Sequence, residues 1–295
     1  MKTKHTYFLD SEYAPVSPEK AFFHIIPVPL ERSVSYGGGA SRGPAALLAA
    51  SRQLEAVEDG LAPGESGFYT APFVDCAGDV RTILASVEAA VARALDCRAC
   101  PVLLGGEHTV SLGALRALAS KREAGIVQID AHADLRPEYE GDIFSHACVM
   151  YHAVNDLKLP LAQFAVREIS REEISLRIKR RICHYDADIL ARGALPLNPL
   201  PRDFPRRIYV SFDVDGLDAS LMPSTGTPSP GGLFWHDALE LLRRCASGRE
   251  IAGFDVVELA PVPGLHHANF TAAKLVHALM ALTLRNGLKQ SIYKR

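Results

Sequence analysis

The sequence predicts an α/β protein with a parallel β-sheet covered by helices on both faces. Short apolar segments alternate along the chain with longer segments of helical periodicity. Such alternation is typical of parallel strands joined by crossover helices. Three of the apolar segments also end in acidic or histidine residues. In open α/β sheets the carboxyl ends of the strands form the edge where ligands bind, so these residues mark the expected site.

Local signals support the individual elements. Pro44 suits the first turn of a helix, and Asp79 is the predicted N-cap of a helix with apolar residues at Ile83, Val87 and Val91. Helices are predicted over residues 45–57, 80–96, 110–120, 147–157, 171–181, 235–246 and 269–286. Strands are predicted over residues 21–29, 67–76, 101–104, 125–130, 163–166, 208–213 and 251–258. No internal repeat or interdomain linker interrupts them, so residues 1–295 are expected to form one domain.

Composition argues against several classes of protein. Hydrophobic residues make up 48% of the chain, enough for a sizeable core, and the formal net charge is only -2. Because acidic and basic residues are interspersed, no nucleic-acid or membrane partner is expected. The chain has no apolar run of membrane-spanning length, and no apolar segment follows its first residues as in a signal peptide.

Cysteine usage favours a reduced, cytoplasmic location. The six cysteines are scattered rather than spaced as a disulfide framework. Cys97 and Cys100 have C-x-x-C spacing, but no second pair accompanies them. A structural or incidental role is therefore favoured for this pair over metal binding or redox chemistry.

The most informative stretch follows the predicted strand 125–130. Asp130, His132 and Asp134 stand at alternate positions, and alternate side chains of an extended segment share one face. Two carboxylates and an imidazole on one face need a cation as partner if they are buried. Taken alone, the stretch also fits a strand end whose polar residues face water.

Two further strand ends favour the metal interpretation. Asp213 ends the strand 208–213 and Asp215 lies just beyond it, while His108 follows a double glycine after the strand 101–104. The pooled set contains more carboxylates than one Zn²⁺ site normally takes. It suits two divalent ions that share bridging carboxylates, with Mn²⁺ the natural candidate. The predicted metal ligands are His108, Asp130, His132, Asp134, Asp213 and Asp215.

Three motifs resemble those of the ureohydrolases, the family of arginases and agmatinases. They are Gly105-Gly106-Glu107-His108, Asp130-Ala131-His132-Ala133-Asp134 and Ser211-Phe212-Asp213-Val214-Asp215-Gly216-Leu217-Asp218. The resemblance extends from about residue 36 to about residue 279. It implies a three-layer αβα sandwich, two Mn²⁺ ions or other divalent ions per chain, and a homo-trimer or homo-hexamer.

The resemblance also implies roles for individual residues. Asp130 and Asp213 would bridge the two ions, with His108 and Asp134 completing one site and His132 and Asp215 the other. Asp134 would carry a proton to the leaving amine, and His146 would help to relay protons and contact the substrate. For a lone loop histidine such as His146, an ordinary solvated side chain is the competing interpretation.

Glu258 ends the strand 251–258 and is the predicted substrate-binding residue. A carboxylate can orient a guanidinium group through paired N–H···O bonds, and Glu258 matches the substrate-binding glutamate of the family. The competing interpretation is a surface acid at a strand end. Together with Asp134 and His146, Glu258 completes the predicted catalytic set.

The resemblance favours agmatine as substrate, with putrescine and urea as products. The segment 135–145 lacks the Asn/Ser/Thr-rich composition with which arginases bind the α-amino and α-carboxylate groups. Ala219 and the segment with His266 and His267 depart from the family pattern. Guanidinobutyrate or another guanidino acid is therefore an alternative substrate, with Arg42 or His266 contacting its carboxylate. A non-catalytic metal-binding regulator is a further alternative.

Overall fold

All eight strands belong to one parallel sheet in the computed structural model, which describes residues 6–121 and 124–292. The strand order across the sheet is β2-β1-β3-β8-β7-β4-β5-β6. Every pair of neighbours is parallel. The strands are β1 Phe23–Val28, β2 Phe68–Thr70, β3 Cys100–Gly105, β4 Gly125–Ile129, β5 Leu161–Phe164, β6 Cys183–Tyr185, β7 Arg207–Asp213 and β8 Glu250–Val257.

Helices cover the sheet on both faces and produce three layers. Strand side chains alternate between two hydrophobic cores: Ile25 packs with α1, α7 and α8, whereas Ile26 packs with α2, α3 and α4. This arrangement confirms the predicted αβα sandwich. The helices are α1 Gly43–Ser51, α2 Val80–Asp96, α3 Ser111–Lys121, α4 Val149–Asn155, α5 Arg171–Arg180, α6 Ala187–Arg192, α7 Trp235–Cys245 and α8 His266–Ile292.

Some element boundaries differ from the sequence prediction. Helix α1 ends at Ser51 rather than at residue 57. The buried Ser51 hydroxyl donates to Leu48 O and accepts from Leu9 N, and such side-chain bonds compete with helix continuation. Strand β6 and helix α6 were not predicted, because they are short and lack a clear hydrophobic period.

The four central strands β3, β8, β7 and β4 are neighbours, and their carboxyl ends carry all three predicted motifs. Two motif glycines allow close backbone packing at this edge. A Cβ atom on Gly106 would lie 2.0 Å from Leu30 O, and one on Gly216 would lie 2.8 Å from Asp130 N. These positions accept only glycine without a backbone shift. Among the described residues, no helix is long and apolar enough to cross a bilayer.

Candidate metal and substrate site

All six predicted metal ligands meet at the carboxyl edge of the central strands. His108 follows β3, Asp130 and Asp134 follow β4, and Asp215 follows β7. Asp213 is the last residue of β7, and His132 stands between the two β4 aspartates. Five of the six are buried, and His132 remains 31% exposed. The expected convergence of strand ends therefore occurs in the fold.

The first group of potential ligands contains His108, Asp130 and Asp134, with donor atoms within 4.8 Å of one another. His108 Nδ1 lies 2.9 Å from Asp134 Oδ2 and 3.2 Å from Asp130 Oδ2. Asp213 Oδ2 lies beside this group, 3.6 Å from the same nitrogen.

The second group contains Asp130, His132 and Asp215. His132 Nδ1 lies 3.0 Å from Asp215 Oδ2 and 3.6 Å from Asp130 Oδ1. Asp130 belongs to both groups, with one carboxylate oxygen facing each. A carboxylate shared in this way is suited to bridge two cations.

Hydrogen bonding fixes the tautomer of His108. Ser211 Oγ donates to Asp255 Oδ1 at 3.0 Å and lies 2.8 Å from His108 Nε2. Because the serine proton is directed to Asp255, Nε2 must donate to Ser211. In a neutral imidazole the Nδ1 lone pair then faces the carboxylates of Asp130 and Asp134. Such an arrangement is repulsive unless a cation lies between them, as in metal sites with a hydrogen-bonded ligand histidine.

The electrostatics of the carboxylates also fit cations. Burial raises the pKa of Asp213 well above its usual value, and the charges of Asp215 and Asp130 add to the shift. Burial and the Asp130 charge likewise raise the pKa of Asp134. Divalent cations would relieve this mutual repulsion. The donor set is rich in oxygen and holds no thiolate, which suits Mn²⁺ better than a structural zinc site.

Glu258 lies next to the metal-type cluster, the group of six predicted ligands formed by His108, Asp130, His132, Asp134, Asp213 and Asp215. Its backbone N–H donates to Gly106 O at 2.8 Å, and its Oε1 accepts from His108 N at 2.6 Å. Burial raises the pKa of Glu258 to about 8, with a further contribution from the charge of Glu107. A cationic ligand would return this carboxyl to its ionised form.

Two of the predicted catalytic residues have left-handed backbone conformations. The φ angles of Asp134 and Glu258 are 52° and 65°. Non-glycine residues rarely adopt such values unless the surrounding structure holds them there. For Asp134 the backbone carbonyl accepts from both Met150 and Tyr151 N–H groups. The strand-to-loop turns thus hold both carboxylates at the floor of one cavity.

His146 lines the same cavity. Its Nδ1 is 3.1 Å from Ser33 Oγ, and its Nε2 is 2.9 Å from Ser35 Oγ. Its ring also lies edge-on to Tyr139, with centroids 6.1 Å apart. His146 is therefore a positioned side chain of the cavity rather than an isolated solvated residue.

The cavity that joins these groups has a volume of about 360 Å³. Five of the predicted residues, His132, Asp134, Asp213, Asp215 and Glu258, line it together with His146. The glycine-rich loop after β1 contributes Ser35 to Gly37, and the long loop after β7 contributes Thr225 to Thr227. Asp130 and His108 lie beneath this surface, fully buried.

A buried polar chain beneath the site was not found by sequence reasoning. Gln128 donates to Asp130 Oδ2 at 2.7 Å and accepts from Gln163. Gln163 also accepts from Arg177 Nε at 2.7 Å, and Arg177 is paired with Asp186 at 2.8 Å. The sequence offers one signal for this chain, because Gln128 and Gln163 are polar residues inside otherwise apolar strands. This chain orients the shared aspartate as second-sphere groups orient metal ligands.

Comparisons with known proteins agree with the site. The sequence model of the arginase family matches residues 21–282. The N(1)-aminopropylagmatine ureohydrolase of Thermus thermophilus is 38% identical, over 90% of this chain and 91% of that protein. The agmatinase of Pyrococcus horikoshii is 31% identical, over 94% of this chain and 97% of that protein.

A solved structure shares the whole fold. The agmatine ureohydrolase of Thermoplasma volcanium superposes with a TM-score of 0.87 at 28% sequence identity, covering 98% of this chain and 97% of that one. The family match spans most of the chain. The chain therefore belongs to the arginase family and is a ureohydrolase, a hydrolase of linear amidines.

Proposed function

We propose that this protein releases urea from a guanidino compound whose other end is an amine, either agmatine or N(1)-aminopropylagmatine. The observation that carries the proposal is the composition of the cavity. Its floor combines the metal-type cluster with Glu258, and its walls are rich in carboxylates. Among the described lining residues, Arg136 alone has a permanent positive charge. A dicationic substrate is complementary to this surface.

The six predicted ligands fit two divalent ions, and we propose Mn²⁺. His108, Asp134, Asp130 and Asp213 would hold one ion, and His132, Asp215 and the same two shared aspartates would hold the other. When bound, such a pair supplies an activated water nucleophile at neutral pH. A guanidinium carbon is a poor electrophile and needs a nucleophile of this strength.

The remaining steps belong to side chains of the cavity. Glu258 would bind the guanidinium group and orient its carbon through charge-assisted N–H···O bonds. Asp134 faces the same space and would carry a proton to the leaving amine nitrogen. His146, which lines the same cavity, would exchange that proton with solvent. Held together in one cavity, these groups lower the entropic cost of the reaction.

Both amine substrates have specific support. Relatives named agmatinase support agmatine, while the relatives named N(1)-aminopropylagmatine ureohydrolase are 34–38% identical. The two compounds share the guanidino group and a tetramethylene chain that ends in a charged nitrogen. Arginine carries an α-carboxylate, which would enter a cavity rich in carboxylates. The one permanent cation among the described lining residues, Arg136, already lies 3.9 Å from Glu173.

The test is urea release with Mn²⁺ from agmatine, N(1)-aminopropylagmatine, arginine and 4-guanidinobutyrate under identical conditions. We expect kcat/KM for the two amine substrates to exceed that for arginine by at least about a hundredfold, roughly 3 kcal/mol of transition-state binding. A preference for arginine or guanidinobutyrate would refute the substrate proposal. Absence of urea from all four compounds would favour a non-catalytic regulator.

Three variants test the assigned roles. Glu258→Gln should lower kcat/KM sharply and leave bound Mn²⁺ unchanged, since Glu258 is not a proposed ligand. Asp130→Ala and Asp213→Ala should each lose turnover and part of the two ions expected per chain. Normal metal content in either alanine variant would contradict the bridging assignment.

Assembly is a separate proposal. Closed symmetry is the norm for soluble oligomers, and the family resemblance favours a homo-trimer or homo-hexamer. Sedimentation velocity at micromolar concentration tests this expectation, and a single monomeric species would refute it.

A further inference from the structure

Four glutamates line the substrate cavity, and their hydrogen bonds divide them into two classes. Glu107 Oε2 accepts from the backbone N–H groups of Arg32 and Ser33 at 2.7 and 2.8 Å. Glu173 accepts from Leu135 N at 3.0 Å through Oε1 and from Ser170 N at 2.8 Å through Oε2. Backbone donors thus bind both of these carboxylates, which hold the walls together.

Glu258 and Glu168 form the other class. Each has one carboxylate oxygen bonded within the protein: Glu258 Oε1 accepts from His108 N, and Glu168 Oε1 accepts from Ser229 Oγ at 2.9 Å. Within the described residues, Oε2 of each is left without a protein partner. Glu107 Oε1 also lacks a partner, but that oxygen is buried. Glu258 stands at the floor and Glu168, which is exposed, at the mouth. The unpartnered glutamate oxygens of the cavity that are not buried therefore belong to Glu258 and Glu168.

Glu168 is fixed relative to the metal-type cluster although its side chain is exposed. Its backbone pairs with His132 in a parallel bridge, and its N–H donates to Ala131 O at 2.9 Å. The preceding Arg167 donates through Nη2 to Asp215 O at 2.6 Å and to Ser229 O at 2.8 Å. The segment that carries Glu168 is thereby tied to both ligand-bearing loops.

We propose that Glu168 determines specificity by binding the charged nitrogen at the far end of the tetramethylene chain, while Glu258 binds the guanidinium group. The inference rests on the function proposed above and extends it. That nitrogen is the primary amine of agmatine and the secondary amine of N(1)-aminopropylagmatine. One carboxylate therefore serves both substrates, and the aminopropyl extension passes beyond it towards the exposed Tyr36 at the mouth.

Glu168→Gln separates this role from a structural one. The amide oxygen of glutamine can still accept the Ser229 hydrogen bond, so only the charge is lost. The matched control is Glu172→Gln, which neutralises an exposed glutamate on the first turn of α5 that does not line the cavity. Butylguanidine serves as the third substrate, since it keeps the guanidino group and the chain but has no distal charge.

Steady-state kinetics with Mn²⁺ give the decisive comparison. For Glu168→Gln we expect KM for agmatine and for N(1)-aminopropylagmatine to rise about tenfold, as for loss of a hydrogen-bonded charge, and the loss on butylguanidine to stay below about twofold. Glu168→Lys should lower activity on the amines further and raise relative activity on 4-guanidinobutyrate. Glu172→Gln should behave as the unsubstituted protein.

The outcomes distinguish the two proposals. Equal losses on butylguanidine and agmatine would show that Glu168 is only structural and overturn the inference. The inference also falls if the amine substrates do not respond to Glu168→Gln. If the unsubstituted protein releases urea from none of the guanidino compounds, the proposed function itself fails, and the role of Glu168 fails with it.

Discussion

Ser33 holds His146 from two directions: its hydroxyl accepts from the His146 backbone N–H at 3.0 Å and lies 3.1 Å from the ring Nδ1. Ser35 binds the other ring nitrogen at 2.9 Å. The loop that carries both serines is in turn anchored by the buried Glu107, which accepts from the Ser33 N–H. The orientation of the predicted proton relay therefore depends on a loop more than a hundred residues away in sequence.

The first prediction concerns this pair of serines. Ser33→Ala and Ser35→Ala should each lower kcat for agmatine about tenfold with little change in KM, because a tilted relay slows proton transfer rather than binding. Since both hydroxyls orient one ring, the double variant should lose less than the product of the two single losses. Fully multiplicative losses would show that the serines act independently of His146.

The second prediction concerns Gln128, which donates to the shared Asp130. Gln128→Met nearly conserves volume but removes the donor, so the aspartate is less well oriented. We expect Mn²⁺ to dissociate about tenfold more readily, as for other second-sphere substitutions. Calorimetric titration of the metal-free protein measures this directly, and Gln53→Met, at an exposed position, is the control. An unchanged dissociation constant would remove Gln128 from the metal site.

The third prediction concerns Phe144, which anchors the loop before His146. The guanidinium carbons of Arg81 and Arg116 lie 5.1 and 5.9 Å from its ring centroid, and His152 stacks on it at 5.4 Å. Phe144→Leu removes these contacts, of which each cation–π contact is worth about 0.5–1 kcal/mol at a partly exposed site. Hydrogen exchange over residues 136–146 should accelerate and kcat/KM for agmatine should fall. Phe234→Leu, at a 59% exposed ring, should change neither.

Much of this fold follows from local sequence signals. The carboxyl ends of β3, β4, β7 and β8 were predicted to within one residue, because charged residues or a double glycine follow their apolar segments. Helix α2 was predicted with the bounds observed because Asp79 caps it through Arg81 and Thr82 N–H groups. Edge strand β6 was not predicted, since none of its three residues is buried and they carry no hydrophobic pattern. Helix α1 is shorter than predicted because the Ser51 hydroxyl accepts a hydrogen bond from the distant Leu9 N–H, and the local sequence does not indicate such a contact.

The supporting residues of the site were harder to predict than its charged groups. Asp130 and Asp213 stand out because carboxylates after buried strands are unusual. Gln128 acquires its role only from the register that places it opposite Gln163. Glu168 likewise becomes informative only when the hydrogen bonds of the other cavity glutamates are known. These roles depend on which segments meet in space, and a single sequence does not specify that.

The last prediction concerns pH and a buried histidine that does not line the cavity. His277 on α8 is fully buried, and within the described chain neither ring nitrogen has a hydrogen-bond partner. Burial lowers its pKa from 6.5 to about 4, with a smaller contribution from Lys274. Glu58 Oε2 lies 3.9 Å from its Nδ1 but is already paired with Lys274 at 2.5 Å.

Because the unfolded chain takes up a proton at this histidine near pH 6.5 and the folded chain only near pH 4, stability is complete above pH 6.5 and falls as the pH drops towards 4. Between pH 7.5 and pH 5 the loss should be about 2 kcal/mol. His277→Gln should remove this part of the pH dependence, whereas His236→Gln, at an exposed position, should retain it. Urea unfolding at the two pH values measures how much the free energy of unfolding changes with pH in each protein. Because the metal-type cluster is the same in all of them, its contribution cancels when the proteins are compared. Equal pH dependence in the unsubstituted protein and His277→Gln would show that His277 is not the titrating group.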